Sequence, residues 1–357
     1  MTWIAISGRE QAWVCPETFK TAGAPRDLLL ARGTIMIETR LSPEDRPQTL
    51  LSYRRRHPWE GSISVQAVPG GGVILVLTQG EAVFHTVLQG RHHARTDVLR
   101  VTYSWDSERR FGRIAVEQPE SDSVEIRMTP PPPPLMLEDI HSLTRRPQLC
   151  QIDPDVIFFA VSDCIEPIGP MPSVTGQTPV LTPRGYCCMS QLQRGDTLRT
   201  ARNGVVPVLM RVSRRVPALG SFQPVRLRAP YFGLLQDIVV APTQRLVISG
   251  TDVEYLFGRE AVLVAAGSLV NGYAAVLEPG HLQVCYHHLL LPSHEPLVAA
   301  GLELESLYVG RLRRHRVKLE QSLLRACPPG LLPEHARLNL KVLRSFETIT
   351  LTEARAA

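Results

Sequence analysis

The sequence predicts a mainly β chain: an N-terminal antiparallel β-sandwich, then a second all-β domain that ends in a helical tail. Three observations carry this. Between residues 30 and 130, short runs alternate apolar and polar residues. Gly, Pro and Asp clusters punctuate them at intervals of about ten residues, the spacing of strands in sandwiches and barrels. After Gly310 the apolar spacing changes from two to about 3.6, the helical period.

The first strands are explicit. "GTIMIETRL" sets Ile35, Ile37, Thr39 and Leu41 on one face, and "GSISVQAV" does the same with Ile63, Val65 and Ala67. "GGVILVL" contributes Val73, Leu75 and Leu77, "DVLRVTYSWD" Leu99, Val101, Tyr103 and Trp105, and "FGRIAVE" Ile114 and Val116. Strands half-buried in this way need two facing sheets to hide their apolar sides. Trp105 continues the inward face of its run, so it reads as core rather than as a platform for a sugar. The proline run Pro130–Pro134 has no backbone donors and reads as a stiff loop. "PDVIFFAVSD" is a buried strand that closes the first domain, and "PIGPMP" marks the boundary. The expected division is a sandwich over 1–166, a linker over 167–172, a β domain over 173–310 and a helical tail over 311–357.

In the second domain "TPVLT", "DTLRT", "VVPVLMRVSRR", "PVRLRAP", "DIVVAP", "RLVISG" and "AVLVAA" are short β-rich runs joined by tight turns. "AAGSLVNG" has the look of a helix end, with Asn271-Gly272 as its stop. In the tail, Leu312, Leu319, Leu323 and Leu324 form one stripe and Leu338, Val342 and Phe346 another, with Pro328-Pro329-Gly330 between two helices.

Composition excludes several function classes. The formal charge of the 357 residues is only +5, from scattered arginines. No basic run carries interleaved aromatics, the densest basic cluster being "SYRRRHPW", so nucleic acid is not an expected partner. The seven cysteines form no CxxC pair and no regular framework, which fits a reduced compartment. The start lacks a secretory signal pattern, and no run approaches the eighteen apolar residues of a membrane span. The expected location is the cytoplasm, with export by a non-Sec route as the alternative. No acidic pair has glycosidase character and no Asp/Asn loop has calcium-binding form. "HHLLLPSHE" gathers histidines and Glu295, but the spacing of His288 and His294 is not a helical ligand spacing. No metal and no cofactor are expected.

Five stretches occur in order: "SVTGQTPVLTPRG", "LQRGDTLRTARNGVVPVLMRVSRR", "PVRLRAPYFGLLQDIVVAPTQRLVIS", "AVLVAAGSLVNG" and "CYHHLLLPSHEPLVAAGLELESLYVG". They carry a resemblance, over residues 173–310, to the hedgehog/intein, or Hint, domain, in particular its bacterial family. It implies a self-processing site. The first residue of such a domain attacks the carbonyl before it and converts the peptide bond into a thioester or ester. That chemistry requires a nucleophile, an oxyanion stabiliser and an acid for the departing nitrogen. Counted back from Thr182-Pro183, Ser173 takes the nucleophile position, and Pro172–Ser173 is the bond at risk.

The sequence departs from the family at two points. Serine stands where cysteine is usual, and a neutral hydroxyl is a weaker nucleophile unless a base activates it. The family's Thr/Ser-x-x-His block falls on "APTQ", with Ala241 at the hydroxyl position and Gln244 at the histidine position. Glutamine carries no titrating proton. Thr243, expected to face away from Gln244 on a strand, together with Asp237, His288 and His294, are the candidates for compensation. The expectation is a degenerate, non-cleaving Hint protein that serves as scaffold or interaction partner. The alternatives are autoprocessing through a Ser173 ester and glycan binding by the N-terminal sandwich, whose strands resemble concanavalin and laminin-G jelly rolls; a carbohydrate or a protein is its expected partner.

Overall fold

The computed structural model describes residues 2–19, 28–41, 46–69, 72–89, 98–121, 123–200, 204–335 and 340–356. The chain divides into two compact units, Met1–Gly169 and Pro170–Ala357.

The first unit is a β-sandwich. One sheet has seven strands: β1 (Trp3–Gly8), β2 (Ala12–Val14), β3 (Arg32–Arg40), β8 (Val98–Asp106), β9 (Phe111–Gln118), β10 (Ser123–Thr129) and β12 (Val156–Ser162). Their order is β10-β9-β8-β3-β12-β1-β2. The other sheet has five strands in the order β11-β4-β5-β6-β7, from β4 (Gln48–Arg55), β5 (Gly61–Val68), β6 (Gly72–Gln79), β7 (Ala82–Leu88) and β11 (Cys150–Gln151). "PDVIFFAVSD" thus supplies β12, between β3 and β1. Ile35, Ile37, Ile63, Val65, Leu75, Leu99, Val101 and Ile114 pack into one core between the sheets. Trp105 is fully buried and donates its indole N–H to the Leu30 carbonyl at 2.9 Å. A short helix, α1 (Leu137–Arg145), covers part of the core with Ile140 and Leu143.

Alternation predicts one buried face for each strand, yet β3, β8 and β9 are buried on both faces. Their second face is polar. Glu38, Arg100 and Glu117 lie there as a buried ionic group, with Arg100 3.3 Å from Glu38 and 3.8 Å from Glu117. Arg113 donates to Ser104 Oγ at 2.8 Å and to the Glu166 carbonyl at 2.6 Å. Buried charge survives because it is paired and hydrogen-bonded. The same face fixes the end of the unit: the Gly169 N–H donates to Glu117 at 2.9 Å.

The second unit holds two larger sheets. The first runs β16-β22-β13-β18-β17-β21, from β13 (Val174–Thr175), β16 (Met210–Pro217), β17 (Val225–Leu227), β18 (Ile238–Val240), β21 (Ala275–Leu277) and β22 (Gln283–Leu290). The second runs β15-β14-β23-β24-β19-β20-β25, from β14 (Pro179–Thr182), β15 (Gly185–Cys188), β19 (Arg245–Ser249), β20 (Ala261–Ala265), β23 (Leu297–Ala299), β24 (Leu302–Leu304) and β25 (Lys341–Val342). "TPVLTPRG" forms the β14–β15 hairpin, with Thr182 paired to Gly185 across Pro183-Arg184. Val174, Val240, Leu246, Leu289 and Leu304 meet in the shared core.

The tail differs from its periodicity. Of the first expected helix only α2 (Arg316–Glu320) is α-helical, between 3-10 turns over Leu312–Arg314 and Leu323–Ala326. The Ser322 hydroxyl takes the Leu324 N–H at 3.1 Å and ends the α-helix there, since a serine side chain competes for backbone bonds. The leucine stripe still packs, against Val212, Leu290, Leu307 and Val309. In the second stripe Leu338 lies outside the described residues. Val342 belongs to β25, parallel to β20, and Phe346 is 63% exposed at the start of α3 (Ser345–Ala356). That stripe does not form because strand pairing captures Val342 before the helix begins. Among the described residues no helix is long and apolar enough to cross a membrane.

Candidate functional site

Ser173 sits at the head of β13, a two-residue strand between β18 and β22. The pairing is dictated by Val174, which is fully buried opposite Val240 and His287. Position 173 is thereby carried to the edge of two neighbours at once. The Ala241 N–H, just past β18, donates to the Ser173 carbonyl at 2.7 Å. His288, on β22, faces inward from the strand.

Ser173 is itself buried, 4% exposed, and its hydroxyl has two polar neighbours. Its Oγ lies 2.7 Å from Gln244 Oε1 and 3.3 Å from His288 Nδ1. The roles of all three groups follow from their other bonds. Gln244 Nε2 donates to the carbonyls of Arg245 at 2.8 Å and Glu305 at 3.2 Å. Carbonyls only accept, so the amide nitrogen points at them and Oε1 faces Ser173 as an acceptor. His288 Nε2 is 2.9 Å from the same Glu305 carbonyl and must be the protonated nitrogen. Nδ1 is then a bare lone pair directed at Ser173. The one hydroxyl proton goes to Gln244, the nearer acceptor, with His288 as the competing base.

Burial pushes the His288 imidazole below its ordinary range, partly opposed by the Glu305 carbonyl and carboxylate and by the Met171 carbonyl. The ring is therefore neutral at physiological pH, as a base must be. Burial also opposes the charge of Glu305, but His294 and Arg245 together outweigh it and hold that carboxyl below the usual range. His294 Nε2 is 3.1 Å from Glu305 Oε1, and Arg245 is 3.3 Å from Oε2.

Of the residues singled out in sequence, the structure brings Ser173, Ala241, Gln244 and His288 together. His294 stands one step behind, across Glu305. Asp237 does not join them: it accepts the Ala229 N–H at 2.9 Å and pairs with Arg226 at 3.7 Å. Thr243 lies in the turn between β18 and β19, not on a strand, because Pro242 ends the ladder there. Glu295 accepts from Thr200 at 2.9 Å and Ser293 at 2.6 Å instead of meeting His288. Trp105, fully buried in the other unit, is unavailable to a ligand.

Sequence reasoning missed Glu305 and Arg245. A signal was present: in "GLELESL" the alternation puts Leu302 and Leu304 in the core and turns Glu303 and Glu305 to the other face, where a carboxylate 7% exposed needs a partner.

Residues 172–311 match the family model described as Hint domain. No curated protein matches the chain at a significant level. Among solved structures, the bacterial intein-like domain from Clostridium thermocellum is similar at 13% identity, over 38% of this chain and 99% of that one, with a TM-score of 0.29. The CBM40 of the Ruminococcus gnavus IT-sialidase is similar at 16% identity, over 39% of this chain and 78% of that one, with a TM-score of 0.29. The LG1-3 region of the laminin alpha2 chain is similar at 9% identity, over 87% and 57% of the two chains, with a TM-score of 0.26.

Proposed function

From the match of residues 172–311 to the Hint domain family model we propose that this chain is a Hint protein whose self-processing site is degenerate and whose Pro172–Ser173 bond stays intact. One observation carries the reading. Gln244, at the position of the missing histidine, has every hydrogen-bonding group committed: both amide donors to carbonyls, and Oε1 to Ser173. It keeps no donor for the departing nitrogen or for an oxyanion, and it has no proton to give. It also draws the hydroxyl proton away from His288, the one base in reach among the described residues. The domain then acts as a scaffold, joined to a sandwich unit that meets a carbohydrate or protein partner. Trp59, 37% exposed with the Arg55 guanidinium 4.9 Å from its ring centre, supports a contact surface on that unit. A glycan array with the whole chain and a Trp59→Ala variant tests it.

A second reading rests on the Ser173–His288 pair. Ser173 Oγ attacks the Pro172 carbonyl carbon while its proton passes to Nδ1. The imidazolium returns that proton to the Ser173 nitrogen as the C–N bond breaks, leaving an ester and a free amine. Water then splits the ester into a carboxylate at Pro172 and the Ser173 hydroxyl. Intact mass spectrometry of purified full-length protein separates the two readings, after incubation with and without hydroxylamine. A single species of full mass supports the degenerate site; a fragment ending at Pro172 overturns it in favour of the ester route.

A further inference from the structure

We infer that Glu305 is the positioning residue of the Ser173 site: its main-chain carbonyl sets the tautomer of His288, and its side chain holds that carbonyl in place. The inference deepens the ester reading and rests on it for any chemical consequence. The positioning itself is a separate claim about the resting molecule.

The geometry is specific. Both residues that touch the Ser173 hydroxyl hang from one atom. The Glu305 oxygen accepts from His288 Nε2 at 2.9 Å and from Gln244 Nε2 at 3.2 Å, which fills its two lone pairs. The imidazole can donate there only with the proton on Nε2, so Nδ1 is left bare toward Ser173. The Glu305 N–H donates to the Arg245 carbonyl at 3.0 Å, and that carbonyl also takes Gln244 Nε2 at 2.8 Å. Residues 245 and 305 thus extend the β19–β24 ladder, in which Leu246 pairs with Leu304.

The side chain completes the clamp. The Glu305 carboxylate faces Arg245 at 3.3 Å and His294 at 3.1 Å, both largely buried. The ladder bond of the Glu305 N–H holds the main chain of this residue, while the Arg245 ion pair and the His294 contact hold its side chain from two sides. The charged or titratable groups facing His288 are Glu305 and His294, with Arg245 reaching it through Glu305.

The test is nitrogen-15 NMR of the histidine rings in the whole chain, with His288 assigned by its loss in His288→Gln. The wild type should show one His288 tautomer, protonated at Nε2 and bare at Nδ1. Glu305→Ala should move both ring nitrogens toward averaged shifts, as the anchor loosens. Glu305→Gln keeps hydrogen bonds to Arg245 and His294, so it should retain the single tautomer. Without the carboxylate charge, its His288 should protonate at a lower pH than in the wild type. If Glu305→Ala does not fold, Arg245→Gln replaces it and should give a smaller shift in the same direction. A wild-type His288 protonated at Nδ1, or ring shifts unchanged in Glu305→Ala or its substitute, overturns the inference. Intact mass measured on the same samples reports separately on the ester reading, so a positioned His288 in an uncleaved chain sinks that reading and leaves the positioning standing.

Discussion

Acid should loosen the second unit through His335, by an amount that can be worked out. His335 is 3% exposed and pins the tail to the β domain. Its Nδ1 accepts the Val309 N–H at 3.3 Å, its Nε2 donates to the Leu291 carbonyl at 3.2 Å, and its own N–H donates to the Gly310 carbonyl at 2.9 Å. The ring uses one nitrogen as acceptor, so it must stay neutral to keep both bonds. Burial lowers its pKa from 6.5 to about 4, with the nearby His294 adding to the effect. Above about pH 6.5 the folded and unfolded states are both neutral here, and the residue imposes no penalty. As pH falls below 6.5 the unfolded chain takes up a proton that the folded one refuses. The loss grows until about pH 4 and then levels off. At 1.36 kcal/mol per pH unit, the gap between 6.5 and about 4 amounts to about 3 kcal/mol.

The perturbation is His335→Gln, which does not titrate and costs about 1 kcal/mol at every pH for a lost hydrogen bond. The assay must read the correct unit. All four tryptophans, Trp3, Trp13, Trp59 and Trp105, lie before residue 170, so their fluorescence reports the sandwich. Amide hydrogen exchange of β22 and of residues 309–335 reads the tail and its anchor. Between pH 7 and pH 4 the wild type should lose about 3 kcal/mol more protection than His335→Gln, after correction for intrinsic exchange rates. Equal losses in the two proteins would refute the reasoning, because other acid-sensitive groups such as His288 are common to both.

Four further outcomes are expected. Gln244→His restores a titrating group beside Ser173, so if the missing acid is what protects the Pro172–Ser173 bond, cleavage should become visible by mass spectrometry; no cleavage would show that the serine nucleophile limits as well. Gly301 has φ +90°, and a Cβ there would lie 2.8 Å from the Gly233 carbonyl, so Gly301→Ala should destabilise the second unit by about 1–3 kcal/mol in exchange measurements. The Cys150 thiol lies 3.6–3.9 Å from three carbonyls at the end of α1 and burial pushes it to about 11, so at pH 8 it should alkylate at least ~100-fold more slowly than an unperturbed thiol, and slower than exposed Cys285, by peptide mapping. Arg100→Met leaves Glu38 and Glu117 without their shared partner and should cost the sandwich about 3–5 kcal/mol, read by tryptophan fluorescence in urea.

Period-two alternation found the sandwich because each strand's inner face answers to one requirement, removal from water. Ile35, Ile63, Val73 and Leu99 can be read without knowing which strand neighbours which. The outer face of β3, β8 and β9 could not be read that way. Glu38, Arg100 and Arg113 look like solvated residues until their partners, distant in sequence, are placed beside them. The tail shows the same limit from the other side. Its leucines keep helical spacing, but a serine hydroxyl nearby and a parallel pairing of Val342 with the distant Leu263 redirect the backbone, and periodicity records neither.

The sequence by itself determined which residues the resemblance singles out, Ser173, Ala241 and Gln244, since residue identity requires no folding. Only the tertiary structure decided which way the remaining groups point. His288 and Glu305 are 115 and 132 residues from Ser173 along the chain. Whether a ring nitrogen there carries a proton or a lone pair depends on which carbonyl it meets, and that is set by strand register across two sheets. Hydrogen-bond direction is a property of pairs, and the pairs exist only after the chain has closed on itself.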